Sequence, residues 1–158
     1  MVHGSNMYML MRKFFTNILV CAAALMAFAA CVDKDAERLE MIQAEWHYTG
    51  VESGVEVDLY LGLYGDMTFE LYQKASDAPH YLYKGKYSLN GDVLTGTYSD
   101  YAPWAHDYKV SCSNSSLTLT SVVDQSYSIA FKKESIPQSV RTHFLPMTKS
   151  ENGTLPIL

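Results

Sequence analysis

The sequence has few of the patterns on which most enzymes and metal proteins depend. It contains no glycine-rich phosphate loop and no Gly-x-Ser-x-Gly nucleophile elbow. Four histidines fall on separate segments without metal-ligand spacing: His47, His80, His106 and His143. The carboxylates of Glu56, Asp58 and Glu70 occupy positions predicted to face solvent. We therefore expect no catalytic residues, no metal ligands and no cofactor, and we predict that the chain is not an enzyme.

The longest uncharged stretch lies near the N-terminus and ends at a cysteine. Arg12 and Lys13 precede the uncharged run Phe14–Ala30, which ends in small residues directly before Cys31. A basic segment, an apolar segment and small residues at a cleavage point are typical of a secretory signal peptide. The run has 17 residues, which is near the lower limit for crossing a membrane. An uncleaved helical anchor and ordinary secretory cleavage are the alternatives.

The end of this run, Phe28-Ala29-Ala30-Cys31, resembles the signal of bacterial lipoproteins, and in detail that of Bacteroidetes. Leu is frequent in that family at the position of Phe28. The resemblance implies that Cys31 becomes the first residue of the mature chain, carries acyl groups such as palmitate, and is anchored in a membrane. The acidic stretch Val32–Glu37 is similar to the segment that sends lipoproteins of that phylum to the cell surface. The implied location is the outer membrane of the cell envelope, on its periplasmic face or at the cell surface.

Removal of this leader would leave an acidic chain with one unassigned cysteine. All 17 carboxylates follow Cys31, whereas two of the 12 basic residues leave with the leader, so ten remain and the net charge becomes −7. An acidic surface argues against nucleic acid as a partner, and the lipid would make the membrane contact. Cys21 lies in the leader, which leaves Cys112 without a partner for a disulfide. Cys112 is predicted to be a small buried hydrophobic residue.

Between residues 44 and 134, apolar and polar residues alternate with a period of two, as in half-buried strands. The clearest run is Val55–Leu63. Turn signals such as Asn90-Gly91-Asp92 separate the runs, and no connection is long enough for a parallel crossover helix. The runs number eight, and such a meander hides its apolar face and its edges by closing. The sequence predicts an all-β fold, an eight-stranded antiparallel up-and-down barrel, with a two-sheet β-sandwich as the alternative.

These patterns also predict the domain boundaries: residues 1–30 as signal peptide, with a possible non-native start over 1–10 before Met11; 31–43 as lipidated cysteine and tether; 44–134 as barrel; and 135–158 as a C-terminal extension, partly helical or disordered. Within the extension, Gln138–Phe144 is predicted to form a short helix, since Pro137 suits a first helical turn. The segment Lys149–Leu158 is predicted to be disordered or loosely packed.

Five stretches of the barrel region carry a family resemblance: Ala44-Glu45-Trp46, Tyr64–Phe69, Gly85–Gly96, Tyr108–Ser111 and Leu117–Thr120. They are similar to the lipocalin-like lipoproteins of Bacteroidetes over about residues 42–134. Lipocalins usually have Gly where this chain has Ala44, and they tend to place a basic residue of the last strand against the first-strand Trp. Lys132 or Lys133 can take that position. The resemblance implies a lipocalin-like barrel, with a calycin-like relative as the alternative.

Aromatic residues crowd the face predicted to point inward. Alternation places seven tyrosines there, and a buried phenol hydroxyl needs a hydrogen-bond partner. An amphipathic cavity provides one explanation, and a core of stacked aromatics with hydroxyls at the barrel ends provides the other. Trp104, in the loop 99–105, is either a lid or contact patch on the rim or a cover of the open end. The candidate ligand-binding residues are Trp46, Tyr48, Tyr81, Tyr83, Tyr87, Tyr98, Trp104, Tyr108 and Tyr127.

The sequence thus predicts a membrane-anchored, lipocalin-like lipoprotein that binds a small apolar or amphipathic ligand in or at the mouth of the barrel. The alternative is an envelope structural or protein-interaction domain with a filled barrel and no small ligand. An enzyme accessory protein or inhibitor is the third and weakest hypothesis.

Overall fold

The computed structural model describes residues 34–149 and 155–158. The predicted signal peptide and the lipidation site Cys31 lie outside these residues and stay predictions. The chain divides into two units, Met1–Ala36 and Glu37–Leu158, and the second holds every strand of the described residues. The elements in chain order are α1 (34–42), β1 (Glu45–Glu52), β2 (Val55–Leu63), β3 (Thr68–Ala75), β4 (His80–Asn90), β5 (Val93–Tyr98), β6 (Tyr108–Cys112), β7 (Ser116–Ser121), β8 (Ser128–Lys133), α2 (Gln138–Thr142) and β9 (Phe144–Pro146).

Strands β1 to β8 form a closed antiparallel barrel. Each strand pairs with the next one along the chain, and β1 pairs with β8 at Trp46 and Lys133, which closes the ring. The predicted all-β, eight-stranded up-and-down barrel is therefore confirmed, and the two-sheet alternative is wrong because the pairing has no break. Asn90 pairs with Val93, so Gly91 and Asp92 form the two-residue loop between β4 and β5. Gly91, at the first loop position, has a φ of 61°, which glycine adopts without strain.

A ninth strand was not predicted. Strand β9 runs parallel to the start of β4, with Phe144 beside His80. Strand β5 pairs only with the later part of β4, from Gly85 onward, so β9 covers an edge that would otherwise be unpaired. Three residues are too few to show a period of two, which is why the sequence pattern did not reveal it. A short helix is present as α2, but it covers Gln138–Thr142 instead of the predicted Gln138–Phe144, because Phe144 begins β9.

The interior of the barrel is filled by side chains from the inward face of the strands. In β2 the inward series is Val57, Leu59, Leu61 and Leu63, and the last three are at most 1% exposed. Burial of each large apolar side chain contributes about 1.5–3 kcal/mol relative to exposure. The fold is stabilised mainly by this interior, in the absence of any disulfide among the described residues.

The two ends of the barrel differ. Because the strands alternate in direction, the β2–β3, β4–β5 and β6–β7 turns meet at one end, where residues 37–42 also lie; we name this the helix end. Ile42 is fully buried there, and Trp46 Nε1 donates to Ile42 O at 2.9 Å. Arg38 Nη1 donates to Gly91 O at 2.7 Å. Residues 37–42 of the predicted tether 31–43 therefore belong to the same unit as the barrel strands.

The contact expected from the lipocalin resemblance is present at the same end. Lys133 Nζ lies 5.8 Å from the centroid of the Trp46 ring, within the range of a cation–π interaction. The basic residue of the last strand therefore packs on the first-strand Trp, as that resemblance implies. The structure has the shape of a lipocalin-like barrel.

A small second core lies on the outer face. Tyr60, Tyr72 and Leu82 occupy outward strand positions yet are at most 7% exposed. Ile136 and Val140, from α2 and the segment before it, cover them. None of the helices in the described residues has the length and apolar character needed to span a bilayer.

Candidate functional site

The opposite end, named the loop end, carries the β1–β2, β3–β4, β5–β6 and β7–β8 connections. Of the candidate ligand-binding residues, Trp46 and Tyr87 do not lie there: both are at the helix end, where Tyr87 Oη donates to Tyr64 O at 2.7 Å. Tyr83 lies between the ends and is fully buried. The other six candidates lie at the loop end: Tyr48, Tyr81, Tyr98, Trp104, Tyr108 and Tyr127.

Trp104 is folded into the barrel rather than standing on its rim. Its amide donates to Gly96 O at 2.9 Å, and its side chain is 5% exposed. The ring lies so close to Gly96 that a Cβ at that position would stand 2.1 Å from Trp104 Cε2. It packs edge-on against Phe69, with ring centroids 5.1 Å apart, and against Tyr108 at 6.0 Å. Of the two roles proposed for Trp104, the geometry corresponds to a cover of the open end.

Polar groups at the loop end differ in whether they have partners. Tyr48 Oη donates to Glu52 Oε1 at 2.8 Å. Tyr108 Oη and Trp104 Nε1 have no hydrogen-bond partner among the described residues, although Tyr108 is fully buried. A buried donor without a partner costs about 1–3 kcal/mol. A water molecule or an acceptor atom of a ligand at these two donors would remove that cost.

Burial also controls the ionisation of the loop-end phenols. It raises the pKa of Tyr98 and of Tyr108 far above the ordinary value of 10.0. The pKa of Tyr127 rises to about 12, first because of burial and then because of the negative charge on Glu52. These three phenols therefore stay neutral, as hydrogen-bond donors, across the physiological pH range.

These shifts predict an alkaline loss of stability. In the unfolded chain tyrosine ionises near pH 10.0, whereas folded Tyr127 keeps its proton to about pH 12. The folded state binds more protons between these values, so the contribution of Tyr127 to the free energy of unfolding is constant below pH 10.0 and falls as the pH rises from there. We expect a late phase of tyrosinate absorbance that coincides with loss of near-ultraviolet circular dichroism, and Tyr108→Phe should reduce its amplitude. Complete ionisation of all tyrosines in a natively folded protein would contradict this prediction.

Gln73 also lies at the loop end, although it was not among the residues predicted to form the site. Gln73 continues the inward series of β3 after Phe69 and Leu71, and it is 4% exposed. Its Nε2 donates to Leu155 O at 3.0 Å, and its Oε1 accepts from Ile157 N at 2.9 Å. The sequence did carry a signal for Gln73, because it is a polar residue at an inward position of a strand whose other inward residues are apolar.

Residues 155–158 are the partners of this glutamine and pack into the barrel. Leu158 is fully buried in the interior core, and Tyr98 Oη donates to Leu158 O at 2.6 Å. The expectation of a loosely packed or disordered segment is therefore wrong for these four residues, while residues 150–154 lie outside the described part of the chain. The apolar residues Leu155-Pro156-Ile157-Leu158 could have indicated packing against the core, but the turn residues before them favoured a loose segment.

A groove of about 900 Å³ lies on the outer face of β3, β4 and β5. Its lining includes Tyr64, Lys84 and Tyr101, and Tyr98 is the single candidate ligand-binding residue that borders it. Lys84 Nζ lies 2.6 Å from Glu70 Oε1, so part of its charge is neutralised within the chain. Most of the groove lining comes from outward strand positions and loops, and Phe69 and Tyr98 of the interior core also border it.

Histidine and carboxylate groups meet on another outer face. His47 Nε2 lies 2.7 Å from Asp58 Oδ1, and its Nδ1 lies 2.9 Å from Glu134 Oε2. The ring stacks on Tyr60 with centroids 4.1 Å apart. Within residues 34–149 and 155–158, no group of three or more His, Cys, Asp or Glu residues is placed to hold a metal ion.

Cys112 is half-buried at the helix end, with its Sγ 3.5 Å from Met41 O. Burial raises the pKa of its thiol against the opposing effect of Lys133. A raised pKa disfavours the thiolate, which is the nucleophilic form. These features agree with the structural role expected for Cys112.

No protein-family model matches the chain, and no curated protein matches it in sequence. The lipocalin-like shape therefore describes the fold alone, and any function must be argued from the residues at the loop end.

Proposed function

We propose that this chain is a lipid-anchored, lipocalin-like lipoprotein of the bacterial cell envelope that binds one small apolar or amphipathic molecule at the loop end of the barrel. Support for the anchor comes from the sequence around Cys31, which resembles the lipoprotein signals of Bacteroidetes. Acyl chains on Cys31 would hold the protein at the outer membrane, on the periplasmic face or at the cell surface.

The observation that carries the binding proposal is the pair of buried donors without partners, Tyr108 Oη and Trp104 Nε1. They lie within an aromatic wall, since Trp104 packs on Phe69 and Tyr108. Binding sites for small molecules typically combine such an apolar wall with a few polar groups that fix the orientation of the ligand. The proposed ligand accordingly has an apolar body and at least one acceptor oxygen, such as a carbonyl or carboxylate.

The direct test is a fluorescence titration of the purified protein with cis-parinaric acid, a fluorescent fatty acid. We expect saturable binding of one molecule per chain. Tyr108→Phe removes the hydroxyl and keeps the ring, so it should weaken binding about threefold to tenfold, the value of one hydrogen bond. Tyr101→Phe is the matched control, because Tyr101 is 90% exposed and lies outside the barrel. Equal affinities of the wild type and both variants would contradict binding at this site.

A second candidate function is an interaction domain of the envelope with a filled barrel. The observation in its favour is the outer groove, which is lined by both Tyr64 and the exposed Tyr101. Tyrosine is enriched at protein interfaces because its ring gives contact area and its hydroxyl a polar contact. If Tyr101→Ala abolishes co-purification of a specific envelope protein while cis-parinaric acid shows no binding, this candidate replaces the first.

A further inference from the structure

Residues 155–158 are held at the loop end as a bound peptide would be. Their main chain makes three hydrogen bonds with two side chains of the barrel wall: Gln73 donates one and accepts one, and Tyr98 donates one. Leu158 is fully buried and Pro156 is also buried, whereas Leu155 is 70% exposed. The segment therefore fills the loop end with apolar side chains and attaches to the wall through its main chain.

The hydrogen bonds of Gln73 follow the pattern of a parallel β-ladder. In such a ladder, one residue donates to the carbonyl before its partner residue and accepts from the amide after it. Gln73 does this with its side-chain amide around Pro156, since it binds Leu155 O and Ile157 N. Proline has no amide N–H, so no donor of Pro156 is left unpaired. The glutamine and the proline are thus complementary in their hydrogen-bonding capacity.

The same contacts place the segment where the proposed ligand would bind. Tyr98, which donates to Leu158 O, packs edge-on against Phe69 with centroids 5.4 Å apart. Phe69 in turn contacts Trp104, one of the two donors without a partner. Leu158, Phe69 and Trp104 all belong to the interior core, so a ligand whose acceptor reached Trp104 would enter the core that the Leu158 side chain helps to fill.

We propose that Gln73 and Tyr98 form a subsite for the main chain of an extended apolar peptide, that residues 155–158 occupy it as an intrachain ligand, and that a small ligand must displace them. This inference rests on the proposed function, because it names what competes with the ligand. The apparent affinity of the loop end for a ligand is lowered by the fraction of molecules in which residues 155–158 are docked.

Hydrogen exchange at the amide of Ile157 and titration with cis-parinaric acid together test this. Docking predicts a protected Ile157 amide in the wild type, and Gln73→Leu should reduce that protection about tenfold. Leu158→Asp places a carboxylate in a buried position and should undock the segment, so the affinity for cis-parinaric acid should rise about tenfold. Gln43→Leu is the matched control, since Gln43 bonds Tyr87 at the helix end and should change neither readout.

The outcomes separate the two proposals. A wild type that binds weakly, with a Leu158→Asp variant that binds tightly, supports both. Equal binding by the wild type and Leu158→Asp leaves the proposed function standing and overturns the intrachain ligand. An Ile157 amide that exchanges freely in the wild type overturns it as well. Protection of Ile157 without binding of cis-parinaric acid to either protein overturns the competition and the proposed function together.

Discussion

Replacement of Trp46 by alanine is expected to lower the free energy of unfolding by about 3–5 kcal/mol, the range for removing a large aromatic side chain from a packed core. Trp46 is fully buried, and three parts of the fold meet on it. Its Nε1 donates to Ile42 O, Lys133 packs on its ring, and its backbone pairs β1 with β8. The substitution would therefore open a cavity at the point where the barrel closes.

Urea unfolding followed by circular dichroism measures this loss. Trp46→Phe keeps most of the ring and loses the bond to Ile42 O, so it should cost about 1–2 kcal/mol. Val123→Ala is the control, because Val123 is 86% exposed, and surface changes of this kind stay within about 0.5 kcal/mol. A Trp46→Ala variant as stable as the Val123→Ala variant would mean that the helix end contributes little to the fold.

The barrel could be predicted because its strands follow simple rules. In β2, Leu59, Leu61 and Leu63 alternate with polar or small residues, which fixes the inward face. Gly91 marked the hairpin between β4 and β5, and short connections left an antiparallel meander as the consistent topology. Closure then follows from the need to cover the apolar face and both edges.

The outer layer could not be predicted in the same way. Tyr60, Tyr72 and Leu82 stand at outward positions, where a period of two predicts exposure. Their burial depends on Val140 of α2 and on Ile136 in the segment before it, which follow the residues they cover by more than fifty positions. The alternation within one strand does not show whether a distant segment of the chain packs on its outer face.

The candidate site was predicted in part. The inward alternation brought Tyr98, Tyr108 and Tyr127 to one end of the barrel, as their positions near the β5–β6 and β7–β8 connections require. Which hydroxyl has a partner depends on tertiary contacts, and the bond from Tyr98 to Leu158 O spans sixty positions. Gln73 was missed because its polar side chain is satisfied by a segment that is remote in sequence.

Cys31→Ser is expected to abolish membrane anchoring, the largest functional effect that we predict. The proposed lipid is carried on the sulfur and the amine of this residue, and serine has no sulfur to which it can attach. Stable anchoring requires more than one acyl chain, so loss of the lipid should move the protein from the membrane fraction to the soluble fraction. Labelling with an alkyne analogue of palmitate should disappear at the same time.

Two matched variants make this experiment specific to position 31. Cys112→Ser removes a thiol that lies half-buried at the helix end, and Cys21→Ser removes one within the uncharged run. Both should keep the label and the membrane location, because neither cysteine follows the small residues that define the proposed cleavage point. If Cys31→Ser loses the label and stays in the membrane, the uncharged run Phe14–Ala30 holds the protein there as a helix. If it keeps the label, acylation occurs at another residue and the lipoprotein assignment fails.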